Sequence, residues 1–193
     1  MSYPNFNLGA VVIGASAGGL FALSRILKEL PVDFPLPLII VQHRSKDERT
    51  LLEELLQSKC KIKVKQADEK EKIERGIVYI APAGYHLLIE KDHSFSLSCD
   101  ALVNYSRPSI DILFETAAEV YEDKLIGVIL TGANSDGAAG MQAIRKRGGI
   151  TIAQNPASAS FPFMPVAAID TGSVQHIFGL QEIDDFLLDL GKY

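Results

Sequence analysis

Val11-Val12-Ile13-Gly14-Ala15-Ser16-Ala17-Gly18-Gly19-Leu20 is the stretch on which the reading of this chain turns. A continuous apolar run from Leu8 to Ile13 has the pattern of a buried parallel strand. It runs into a glycine-rich bend. Beyond the bend Leu20, Leu23, Leu27 and Leu30 recur at helical spacing until Pro31 stops the helix. Ser16 stands where the strand runs out. Backbone N–H groups at such a bend can cradle an anion, and a hydroxyl there can act as a nucleophile. Gly14-Ala15-Ser16-Ala17-Gly18 fits the G-x-S-x-G elbow pattern, which is short and weak alone.

The same alternation continues along the chain. Leu36 to Val41 reads as a second strand, ending in Gln42-His43-Arg44, and a helix over about Thr50 to Ser58 packs Leu51, Leu52, Leu55 and Leu56. Lys59, Lys61, Lys63 and Lys65 alternate with Cys60, Ile62 and Val64, the pattern of an edge strand guarded by charge. Ile77 to Ile80 is a strand. His86–Glu90 and Phe95–Ser98, joined across Lys91-Asp92-His93, read as an antiparallel hairpin that interrupts the βα order. Ser109 suits the cap of a helix whose apolar face is Ile110, Leu113, Phe114, Ala117 and Tyr121. Leu125 to Leu130 is another buried strand, and a helix with Ala138, Met141 and Ile144 inward ends at Gly148-Gly149. A strand at Ile150–Ala153, a short helix around Pro165, a strand near Val174–Ile177 and a C-terminal helix complete the chain. The expected fold is α/β, a doubly wound, mostly parallel sheet with helices on both faces and an inserted antiparallel hairpin.

Composition narrows the function classes. The chain has 193 residues, 47% of them hydrophobic, which is one-domain length with enough apolar side chains for a core. A net charge of -5 argues against nonspecific attraction to nucleic acid or anionic membranes. Cys60 and Cys99 have no metal-ligand or CxxC spacing and read as free thiols of a reducing compartment. No secretion signal is visible in Met1-Ser2-Tyr3-Pro4-Asn5, and no apolar run approaches the roughly 20 residues of a membrane span. A cytoplasmic protein without membrane insertion is the expectation.

Ligands of open α/β sheets bind beyond the carboxyl ends of the strands, where the strand order reverses. If the strands ending near His43 and Leu130 flank the first one, Ser16, His43 and Asp136 converge there. A serine, a histidine and an aspartate in one crevice supply a nucleophile, a general base and the group that orients the base. Each has a plainer reading: Ser16 as a small loop residue or phosphate ligand, His43 as a polar strand end, Asp136 as the cap of the helix that follows it. Two rivals fail on particular letters. A dinucleotide fingerprint needs a middle glycine where Ser16 stands and an acid where His43 stands, and a P-loop needs Lys and Ser/Thr where Leu20 and Phe21 stand. His86, His93 and His176 make no metal-ligand spacing.

Six motifs in order carry a family resemblance: Val12 to Gly19; Val41-Gln42-His43; Val78 to Pro82; Arg107 to Phe114; Leu130-Thr131-Gly132 with Asp136-Gly137-Ala138; and Thr151 to Gln154. Together they resemble the catalytic domain of the chemotaxis protein-glutamate methylesterases, the CheB family, over nearly the whole chain. The resemblance implies hydrolysis of glutamate methyl esters on the cytoplasmic helical domain of chemoreceptors, and deamidation of certain receptor glutamines. It implies the triad Ser16, His43 and Asp136, loop and oxyanion support from Ala17, Gly18, Gly132 and Ala133, and neither metal nor cofactor. Ala17 stands where the family usually has Thr, and Ala133 where it usually has Met. The family's N-terminal receiver domain has no counterpart before Leu8, so the expectation is one catalytic domain over 1–193, constitutively active, controlled by a separate partner, or acting on another substrate. A non-catalytic module of the same fold, or a nucleotide-binding protein, is the alternative. Arg107 reads either as a guide for an acidic substrate or as a loop ion pair.

Overall fold

The structure, a computed structural model, describes residues 8–44 and 52–191. In chain order the elements are β1 (Ala10–Ala15), α1 (Gly19–Leu27), β2 (Leu38–Gln42), α2 (Leu52–Gln57), β3 (Lys63–Gln66), β4 (Ile77–Ile80), β5 (His86–Ile89), β6 (Phe95–Ser98), α3 (Ile110–Tyr121), β7 (Leu125–Ile129), α4 (Ala138–Lys146), β8 (Ile150–Gln154), α5 (Phe163–Asp170), β9 (His176–Phe178) and α6 (Leu180–Leu190). The helix start expected at Thr50 and Leu51 lies outside the described residues. No helix among the described residues is long and apolar enough to cross a membrane.

Seven strands form one sheet in the order β3-β4-β2-β1-β7-β8-β9, and every pairing in it is parallel. The chain winds outward from β1 in one direction, then returns to β7 on its other side. β1 therefore lies at the reversal, where an α/β sheet leaves a crevice. It is buried along its whole length. Val11, Ile13 and Ala15 face a core with Leu23, Ile26, Leu27, Ile183 and Leu187, while Ala10 and Val12 face Leu113, Phe114, Met141 and Met164. Strand alternation thus sends successive side chains into two separate helical layers.

β5 and β6 form their own antiparallel two-stranded sheet, as the interrupted alternation predicts. It packs on α3, where Ile89 N–H donates to Thr116 Oγ1 at 3.2 Å. β3 is an edge strand, as expected, but it is shorter than the lysine alternation suggests. Its neighbour β4 offers only four residues to pair, so Lys59 and Lys61 precede the strand. Lys65 spends its charge on Asp68 and Glu71, at 3.0 and 2.6 Å. Two helical leucines also depart from the sequence pattern. Leu20 is 36% exposed, because the first turn of α1 projects past the carboxyl edge of the sheet. Leu55 is exposed because Leu52 and Leu56 already fill the inward face of the short α2.

The helices α3 and α4 approach closely at Gly140, where any Cβ would overlap the Phe114 side chain. Helix propensity favours alanine over glycine by about 1 kcal/mol. Gly140→Ala is nonetheless expected to destabilise the fold by about 2 kcal/mol, because overpacking wins over propensity at a backbone-close contact. Urea unfolding midpoints compare the two directly.

Candidate active site

Register decides which side chains meet. Ala15 pairs with Gln42, and His43 N–H donates to Ala15 C=O at 2.9 Å, so Ser16 and His43 are neighbours one step beyond the paired strands. On the other side Ser16 N–H donates to Thr131 C=O at 3.0 Å, just beyond β7. The bend itself is a tight turn, closed by Gly19 N–H donating to Ser16 C=O at 2.8 Å, with Gly18 at φ +78° as the cap of α1. That left-handed conformation is the reason for a glycine there.

Asp136 is fully buried, and its side chain does not serve the helix that follows it. The cap of α4 is Gly137, which has no side chain to cap with, and the side chain of Asp136 makes no bond to the N–H groups that open α4. The Asp136 carboxylate instead reaches the start of α3. It accepts Ile110 N–H at 2.7 Å, Asp111 N–H at 3.1 Å and the Ser109 hydroxyl at 2.8 Å. His43 Nε2 completes the set at 2.8 Å from Oδ2. Burial by itself raises the carboxyl pKa. The hydrogen bonds from His43, Ile110 and Asp111 outweigh it and hold Asp136 below the ordinary value. An ionised Asp136 accepts a hydrogen bond from Nε2–H, which leaves Nδ1 as the basic nitrogen of His43. Asn134 Nδ2 and Ser106 Oγ stand 3.4 and 3.5 Å from that nitrogen.

The structure therefore joins His43 to Asp136 by a direct hydrogen bond. Ser16 lines the same groove as His43, and its hydroxyl makes no hydrogen bond to the described residues. Ala17 and Gly18 line that groove beside Ser16. Gly132 N–H donates to Phe161 C=O at 2.9 Å, which ties down the loop after β7, and Ala133 is exposed on the same loop.

Against known proteins, the family model described as CheB methylesterase matches residues 11–187. The chain belongs to the CheB methylesterase family. A putative protein-glutamate methylesterase/protein-glutamine glutaminase of Leptospira interrogans serovar copenhageni is 52% identical over 186 residues, 96% of each chain. Protein-glutamate methylesterase/protein-glutamine glutaminase 1 of Carboxydothermus hydrogenoformans is 43% identical over 90% of this chain and 52% of its own length. The crystal structure of the Thermotoga maritima CheB methylesterase catalytic domain superposes with a TM-score of 0.91 at 34% identity, covering 95% of this chain and 99% of that one.

Several residues of this CheB-type site escaped the sequence reading. Thr131 Oγ1 donates to Ala17 C=O at 2.9 Å and accepts Phe161 N–H at 2.9 Å, clamping the serine bend to the far loop. Gln42 Nε2 donates to both Ser16 C=O and His43 C=O at 2.9 Å, bracing the two from below. Arg107, read as a substrate guide or an ion pair, donates from Nη1 to the carbonyls of Cys99 and Asp100 at 2.6 and 2.7 Å. Asp111 is the least expected. It is buried and accepts Gly137 N–H at 2.9 Å and Gly140 N–H at 2.7 Å, at the start of α4. Nothing in local spacing separates it from an ordinary first-turn acid.

Burial, with the charges of Asp136 and Glu115 nearby, pushes the Asp111 carboxyl up to about 6 against the pull of the Gly140 and Gly137 N–H groups. A raised carboxylate pKa favours the folded state while the group is protonated. That contribution is complete below the ordinary value of 3.8 and is lost as pH rises through about 6. Asp111→Asn keeps an acceptor without the charge. Its stability relative to the wild-type chain is expected to improve by on the order of 2 kcal/mol between pH 4 and pH 7, read from urea midpoints at each pH.

Proposed function

We propose that this chain is a protein-glutamate methylesterase working through a Ser16-His43-Asp136 triad in one catalytic domain. The observation that carries the reading is the 2.8 Å bond from His43 Nε2 to the buried, ionised Asp136, beside Ser16 at the sheet reversal. In this mechanism His43 Nδ1 accepts the Ser16 proton while Oγ attacks the ester carbonyl. The N–H groups of Ala17, Gly18 and Ala133 have no acceptor among the described residues, which suits them to the oxyanion. Gly132 contributes by holding the loop, since its N–H is engaged. The tetrahedral intermediate collapses, His43 returns the proton to the leaving methoxide, and methanol departs. Water, deprotonated by His43, then releases the glutamate carboxylate and restores Ser16. A primary amide takes the same route with ammonia as the leaving group, which accounts for glutamine deamidation. Asp136 orients the imidazole and stabilises its cationic form.

The groove supports a protein substrate. Its volume is about 1010 Å³, far more than one ester group needs, and its lining carries Lys59 and Arg107, which pair with no carboxylate among the described residues, beside Arg44, whose charge is met by Glu53 at 2.8 Å; no Asp or Glu lines it among the described residues. On a chain of net charge -5 that local excess of cations suits an acidic partner. The substrate we propose is the methylated cytoplasmic helical domain of chemoreceptors, met in the cytoplasm.

Methanol release from a methylated receptor fragment tests the reading. Ser16→Ala is expected to abolish release and to abolish labelling by a serine-reactive probe. His43→Ala and Asp136→Asn are expected to lower kcat by at least about 100-fold while circular dichroism stays folded. Undiminished release by Ser16→Ala overturns the nucleophile assignment.

A further inference from the structure

The segment Val103-Asn104-Tyr105-Ser106 is a tight turn at the wall of the groove. Val103 N–H donates to Ser106 C=O at 3.1 Å, and Ser106 N–H donates to Val103 C=O at 2.8 Å. Both central residues are left-handed, Asn104 at φ +48° and Tyr105 at φ +62°. Such a turn selects Asn, Asp or Gly, and Asn104 meets that demand. Tyr105 does not, because a bulky side chain is disfavoured in this region of backbone space. Its ring gains nothing from the fold in return. It is 98% exposed and makes no hydrogen bond or ring contact with the described residues. A strained backbone that carries an unpacked aromatic is a feature the fold alone does not explain.

The turn is held from behind by the site. Asn104 Nδ2 donates to Asp111 Oδ2 at 2.9 Å and to Asp136 Oδ1 at 3.3 Å. Ser106 Oγ stands 3.5 Å from His43 Nδ1. The position of Tyr105 is therefore referenced to the residues that hold the imidazole. In front, Tyr105 lines the groove together with Leu20, Phe21 and Leu102, all exposed, and with the cations Lys59 and Arg107; Arg44, also in the lining, is paired with Glu53 at 2.8 Å. An apolar rim beside a basic, acid-free lining fits an acidic protein segment with apolar neighbours, and offers more contact surface than a small free ester can use.

We propose that Tyr105 is a specificity-determining residue, packing against the acidic protein segment that presents the glutamate methyl ester. The proposal rests on the esterase reading above. Tyrosine suits the task, since a large amphipathic ring with few torsions loses little freedom on contact. The left-handed backbone aims it outward over the groove, and the Asn104 anchors keep it in register with His43.

The test compares the wild-type chain, Tyr105→Ala and Tyr105→Gly on two substrates, a methylated receptor fragment and p-nitrophenyl acetate. Both variants are expected to raise KM for the fragment by about tenfold with kcat within about twofold, and to leave hydrolysis of the small ester unchanged. Tyr105→Gly is also expected to raise the urea unfolding midpoint, because glycine takes this φ without strain. Unchanged KM for the fragment in both variants overturns the proposal, as does an equal loss on both substrates, which would mark a disturbed site. Wild-type turnover of neither substrate overturns the esterase reading and this proposal with it. Turnover of the small ester alone overturns the protein substrate and the role of Tyr105 together.

Discussion

Two buried carboxylates exchange places between two helices. Asp136, just before α4, accepts the N–H groups that open α3, and Asp111, in the first turn of α3, accepts those that open α4. The first turn of any helix leaves N–H groups without intrahelical partners, and its dipole favours an anion there. Here each helix takes its anion from the other. The two elements cannot shift independently without leaving a buried charge or a buried donor unsatisfied, and either costs several kcal/mol. Asn104, donating to both carboxylates, ties the groove wall into the same arrangement.

This exchange is what makes the histidine usable. Its partner oxygen belongs to a carboxylate already held by the backbone, so the imidazole docks against a fixed point. The sheet contributes the rest. Because β2 and β7 flank β1, the bend at Ser16, the end of β2 at His43 and the loop after β7 emerge along one edge. Thr131 and Gln42 then fasten the bend from either side. Preorganisation of this kind spares the reaction the cost of assembling its groups at the moment of proton transfer. The surrounding groove differs in character from the chain as a whole: cations and exposed apolar side chains gather at its lining, on a protein that is otherwise acidic.

Much of this was legible in the letters, and the failures have physical causes. The buried strand before Ser16, the hairpin that breaks the βα order and the Ser109 cap all follow from local period and capping chemistry. Ser109 Oγ does accept Ile112 N–H, at 3.5 Å, while donating to Asp136. Helical period misplaced Leu20, because periodicity reports which face a residue occupies but not whether the sheet extends beneath it. Alternation overextended β3, because the length of a strand depends on its neighbour. Asp136 reads from the letters as the partner of His43, with a cap of its own helix as the plainer alternative, and nothing local indicates that its other bonds go to the N–H groups of α3. Asp111 and Tyr105 gave no signal, because what distinguishes them is a partner across the fold in one case and a backbone angle in the other.

The sequence by itself determined the strand-turn-helix at Ser16, the α/β class and the three strand ends that carry chemistry, because these depend on residues within a few positions of one another. Only the tertiary structure decided which carboxylate caps which helix, which nitrogen of His43 faces the groove, and that a tyrosine stands strained at its wall. Those outcomes depend on the order of strands in the sheet and on the closing distance between α3 and α4. Such contacts join residues far apart in the chain, His43 and Asp136 by 93 positions and Ala17 and Thr131 by 114, and no local pattern encodes them.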